Sequence, residues 1–144
     1  MKTIRLLVSL LALACLIPTA RAANGVTVHG LLISASNESG ESDQRLSAYV
    51  PNLKRILRFE SFRLLGEDSA SFGVPANGTL DLGGGHRVEL TSESSDGKTV
   101  LLKVRWAAGN VRHEYVLQRG VPTILGGPST GKKGEMYAVI LVGR

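Results

Sequence analysis

Two periods of hydrophobic and polar residues divide the chain. "VTVHGLLIS" (26–34) alternates, with Val26, Val28 and Leu32 on one face, and predicts a first strand. Gly30 inside it predicts a bulge or a close backbone approach. The polar stretch "ASNESGESD" then reads as a surface loop. From Ser42 the period changes. Leu46, Tyr49, Val50, Leu53, Ile56 and Leu57 recur at three- and four-residue steps, which predicts an amphipathic helix over about 43–58. Pro51 cannot donate the helical hydrogen bond, so the helix should kink or divide, its second piece starting at Pro51.

Beyond the helix the period returns to two. "RFESFRLLG" (58–66) sets Phe59 and Leu65 in one register, with Phe62 in the other between Ser61 and Arg63. Leu80 and Leu82 oppose Asp81, and His86, Val88 and Leu90 oppose Arg87 and Glu89. Val100, Leu102, Val104 and Trp106 oppose Thr99, Lys103 and Arg105. Val111, His113, Tyr115 and Leu117 oppose Arg112, Glu114 and Gln118. "MYAVILVG" is a continuous apolar run, as a strand covered on both faces would be. Short turns at Gly83-Gly84-Gly85, Ser95-Asp96-Gly97, Ala108-Gly109-Asn110 and Arg119-Gly120 join these runs. The expected fold is mainly β: a small antiparallel β-sandwich or partly closed barrel with one kinked helix near its N-terminus.

The first residues follow neither period. Lys2 and Arg5 precede an apolar run from Leu6 to Ile17, Pro18 ends it, and Ala20-Arg21-Ala22 has small residues where a signal peptidase reads them. The run is shorter than the ~20 residues a membrane-spanning helix needs. Residues 1–22 are therefore expected to be a cleaved signal peptide, leaving 23–144 as one β-rich domain without a transmembrane span. Cys15, the sole cysteine, lies in the leader, and "ALAC" offers a second route, acylation of Cys15 as a lipid anchor. Leu13 and Ala12 depart from the usual lipobox pattern, and apolar Leu16 follows the cysteine, so cleavage after Ala22 is preferred.

Charge looks different once the leader is set aside. The chain has 17 basic and 12 acidic residues; Lys2, Arg5 and Arg21 leave with the leader, so 14 stand against 12. That balance, without a run of like charges, argues against a nucleic-acid partner. A mature domain without cysteine cannot use disulfides and must hold together by burial. The expected location is the bacterial periplasm or the medium.

Candidate chemistry is sparse. "GGPSTGKK" (126–133) has P-loop spacing, but Lys133 stands where a magnesium-binding hydroxyl belongs, Pro128 removes a backbone donor, and a strand follows where a helix is required. It reads instead as a glycine-rich hairpin loop between the last two strands. "VPTILGGP" ahead of the terminal strand resembles the glycine-gated strand segments of secretin outer-membrane channels, a likeness confined to that short segment. His29, His86 and His113 show no zinc spacing, and no nucleophile elbow occurs. No catalytic residue, cofactor or metal is expected.

The expected role is a non-catalytic binding or assembly module of the envelope that contacts another protein. Lys54, Arg55, Arg58, Phe62, Arg63, Lys132 and Lys133 are the expected partner surface, a basic and partly apolar one, with Phe62 alternatively on a second face buried under the helix. The alternatives are a carrier of small hydrophobic ligands and, behind it, a small hydrolase or metal enzyme using His86 or His113.

Overall fold

The computed structural model describes residues 25–38 and 40–144. The expected signal peptide and Cys15 lie outside the described residues. In chain order the elements are β1 (Gly25–Ser36), a 3-10 turn (Gln44–Leu46), α1 (Val50–Leu57), β2 (Ser61–Gly73), β3 (Ala76–Asp81), β4 (Arg87–Ser95), β5 (Thr99–Trp106), β6 (Val111–Gln118), β7 (Thr123–Ser129) and β8 (Glu135–Gly143). They form two four-stranded antiparallel sheets, ordered β2-β1-β8-β7 (sheet A) and β3-β4-β5-β6 (sheet B). The fold is a β-sandwich with one helix laid on the outside of sheet A.

The central strands of sheet A explain that arrangement. β1 and β8 are apolar on both sides, so each face of the sheet must be covered. Val26, Val28, Leu32, Val139 and Leu141 point inward and meet Leu80, Val88, Leu90, Val100, Leu102, Val104 and Trp106 of sheet B. Leu31, Ile33, Ala35, Ala138, Ile140 and Val142 point outward, onto Leu46 and Leu53 of the helical segment and Phe62 of β2. Fully burying an aliphatic or aromatic side chain is worth about 1.5–3 kcal/mol. Leu46, Leu53 and Phe62, all at 0% exposure, therefore supply most of what holds the helix down.

The helix divides as its proline predicts. Asp43 caps the 3-10 turn through the Arg45 amide, three residues of turn follow, and α1 then starts with Pro51 in its first turn. Lys54 and Arg55 fall in its last turn, where cations suit the helix dipole. Arg58 closes it in a left-handed conformation, φ 57°, its N–H donating to the Lys54 carbonyl. Ile56, expected on the apolar stripe, is instead exposed.

Strand β2 runs further than its apolar residues suggest. It bulges at Leu65, which has no partner in the β1 register, and continues through polar residues to Gly73. Beyond the bulge it leans onto sheet B: Gly66 meets the Leu82 carbonyl, and the Asp81 amide donates to Asp68. Gly30 supplies the predicted close approach, since a methyl there would press on Leu80. β7 was expected to end before the glycines; instead it includes Gly126–Ser129, with a turn only at 130–134.

At one end of the sandwich Trp106 fills the space between the sheets, fully buried. Gly109 and Gly127 lie flat against its indole, and a side chain at either would overlap the ring. Replacing Gly127 with alanine should cost about 1–3 kcal/mol of stability by overpacking, read as a lowered urea midpoint. An unchanged midpoint would show that the indole is free to move.

A second expectation concerns acid. The guanidinium and amide of Arg45 hold the Asp43 carboxyl at about 2, below its ordinary 3.8. A carboxyl depressed on folding stabilises above its ordinary value and loses that contribution as pH falls through the folded value. Asp43→Asn should therefore narrow its stability gap from the native protein between pH 4 and about 2; a gap constant across that window would contradict the pairing.

Candidate functional site

Sheet A is longer than its cover. Inward-facing positions on β1 run Val26, Val28, Gly30, Leu32 and then Ser34, Ser36; on β8 they run Leu141, Val139 and then Tyr137, Glu135. The apolar series stops at one register in both strands, because Leu32 pairs with Val139 and Ser34 with Tyr137. β2 agrees, pairing Arg63 with Ser34 and Ser61 with Ser36. Beyond the Leu32–Val139 row the inner face of sheet A is therefore polar and open. This overhang is the floor of a trough of about 730 Å³.

Register builds that floor in two rows: Arg63, Ser34, Tyr137, then Ser61, Ser36, Glu135. One wall is the loop after β1, with Glu38 and Glu41, held beside β2 by the Ser61 hydroxyl, which donates to the Glu38 carbonyl, and by the Asp43 amide, which donates to the Phe62 carbonyl. The other is the β7–β8 turn, with Thr130, Lys132 and Lys133. The two meet where the Asn37 amide donates to the Gly134 carbonyl. Exposed Leu65, the bulge residue, adds an apolar edge.

The inner end of the trough is closed by aromatic rings. Tyr137 packs on His86 with centroids 4.5 Å apart, and His86 lies 5.8 Å from Trp106. The Trp106 Nε1–H donates to His86 Nδ1 at 3.3 Å, which places the proton of a neutral His86 on Nε2. Tyr137 of the trough floor is thus fixed by the same cluster that fills the sandwich end.

Electrostatics separate the trough from another depression, about 470 Å³ on the outer face of sheet B. There Lys103 meets Glu93 at 2.9 Å and Glu114 at 3.8 Å, and Arg105 meets Glu89 at 3.6 Å. The Lys103 ammonium is held above its ordinary pKa, first by its hydrogen bond to Glu93. Those charges largely neutralise one another, as expected of cross-strand pairs that fix register. In the trough Arg63, Lys132 and Lys133 make no ion pair among the described residues, while Glu135 accepts a hydrogen bond from Thr130 at 2.9 Å.

The expected partner surface divides accordingly. Arg63, Lys132 and Lys133 come together around the trough. Lys54, Arg55 and Arg58 are exposed on the helix side, across sheet A from it. Phe62 is a correction: it lies at 0% exposure beneath α1, since adjacent strand residues point to opposite faces and Arg63 takes the open one. Tyr137, Ser34 and Leu65 were missed. Ser34 and Tyr137 are brought together by pairing between strands far apart in sequence, and Leu65 is turned out by the bulge, neither of which a local pattern carries.

His29 bonds Ser69 at 2.6 Å and Glu67 at 3.3 Å, His86 is buried, and His113, expected on an apolar face, is exposed. Among the described residues no three His, Cys, Asp or Glu side chains are grouped to hold a metal ion. No helix among them is long and apolar enough to cross a membrane. Compared with protein-family models, curated proteins and solved structures, the chain finds no match.

The aromatic closure can be tested by His86→Ala, which leaves the buried Trp106 N–H without its acceptor. The loss should be about 1–3 kcal/mol, followed through the emission of Trp106, the sole tryptophan. Native stability in that variant would mean the hydrogen bond contributes nothing.

Proposed function

We propose that the protein is a non-catalytic binding module exported to the bacterial cell envelope, and that it engages another protein through the trough. The supporting observation is the uncovered inner face of sheet A, where the cover ends and the side chains of β1 and β8 turn polar at one register, beside Arg63 and Ser61 of β2. A sandwich built only for stability gains nothing from an overhang with three cations that have no ion-pair partner among the described residues. Balanced charge, a mixed polar lining and an exposed leucine suit a protein surface better than a hydrophobic cargo. The leader-like first residues and the cysteine-free domain support the location.

The chain's ends fit this orientation. Thr27 and Arg144 exchange backbone hydrogen bonds, and Arg119 donates to the carbonyls of Gly25 and Arg144. Gly25 and Arg144 therefore lie at the end of the sandwich opposite the trough.

Photo-crosslinking residues installed in living cells test the reading. Substitution at Leu65 or Lys133 should give one discrete protein adduct, identifiable by mass spectrometry, and substitution at Val116, exposed on sheet B, should not. The charge-reversing pair Lys132→Glu and Lys133→Glu should reduce the Leu65 adduct several-fold at unchanged melting temperature. The same adducts from Val116, or none from the trough, would defeat the proposal.

A further inference from the structure

Resting on that reading, we infer that the row Arg63–Ser34–Tyr137 is a carboxylate-receiving subsite, occupied by an acidic side chain on an extended segment of the partner protein. Ser34 carries the argument. It is 6% exposed, lines the trough, and its hydroxyl has no protein hydrogen-bond partner among the described residues. Its neighbours in the next row are engaged: the Ser36 hydroxyl accepts from the Glu38 amide at 3.1 Å and the Ser61 hydroxyl donates to the Glu38 carbonyl at 3.0 Å. The Ser34 hydroxyl is not sealed in the core as an unsatisfied group; it opens to the trough, where it can donate to a bound acceptor.

The acceptor's charge follows from what stands beside it. Arg63 is directly opposite Ser34 on β2, exposed and without an ion pair among the described residues. A guanidinium and a hydroxyl lining one trough supply separate donors, which the two oxygens of a planar carboxylate can accept. Tyr137, opposite Ser34 on the other side, is steadied by His86 and bounds the subsite.

Charge balance narrows the choice further. The lining holds Arg63, Lys132 and Lys133 against Glu38, Glu41 and Glu135. A dianionic phosphate would meet three carboxylates for its three cations; a singly charged carboxylate asks less. An extended protein segment also brings alternate side chains to one face, so residues flanking the acid can reach the glutamate wall and Leu65.

Isotope-labelled purified protein tests this by amide chemical shifts. The probes are an end-capped tetraglutamate peptide, an end-capped tetralysine peptide, a trimer of galacturonic acid and inorganic phosphate. The glutamyl peptide should shift Ser34, Arg63 and Tyr137 saturably, and less as salt is raised. Arg63→Gln should weaken that binding about tenfold or more, as loss of a charged hydrogen bond does, and Ser34→Ala should weaken it at unchanged melting temperature. Shifts confined to Arg105 and Arg112 on sheet B, or persisting in Arg63→Gln, would overturn the subsite. So would binding of the sugar acid or phosphate with none of the glutamyl peptide. Failure of every probe while the Leu65 crosslink persists would reject the carboxylate and leave the protein-binding reading standing.

Discussion

Sheet A has to be covered twice. β1 and β8 carry apolar side chains on both faces, and leaving either face in water would forfeit most of the burial that holds a disulfide-free domain together. The rest of the architecture answers that demand. Sheet B closes the inner face, and the 3-10 turn and α1 close the outer one with Leu46 and Leu53. Even the glycines serve it: Gly30, Gly109 and Gly127 let Leu80 and Trp106 seat against backbone where a side chain would hold the layers apart.

The same constraint shows where function can reside. Wherever sheet A is covered its side chains are apolar, and where they become serine, arginine and glutamate the cover has stopped. The change occurs at one register on β1 and β8 together, with Arg63 and Ser61 of β2 paired beside it. That coincidence separates the trough from an irregularity of packing, since a single polar residue at a sheet end would be ordinary. His86 and Trp106 join the two regions, because the cluster that ends the core also fixes Tyr137 at the trough's edge.

Much of the fold was legible along the chain. Strict alternation identified β4 and β5 and their buried faces, and Pro51 foretold the divided helix. The errors have physical causes. β7 contains two glycines and a proline, which read as a loop but lie on an edge strand, where a missing donor and a missing side chain are tolerated. The far half of β2 is polar because it rides the sandwich edge. His113 shares its alternation with buried residues, yet β6 is also an edge, so the same face reaches water there.

The site was half legible. Arg63, Lys132 and Lys133 were marked by charge, but charge alone could not separate them from Lys54, Arg55 and Arg58, which lie across the sheet. Phe62 was misplaced because Phe59 suggested a register that starts only at Ser61. Ser34 carried no local signal whatever: its meaning comes from Arg63 and Tyr137, brought beside it by pairing.

Hydrogen–deuterium exchange on the protein bound to the partner captured by crosslinking, compared with the protein alone, addresses the central claim most directly. The account predicts added protection at Ser34–Ser36, at Ser61–Leu65 and through the 130–137 segment, with β6 unchanged. Protection confined to β6 and the outer face of sheet B, or to Lys54–Arg58, would contradict it.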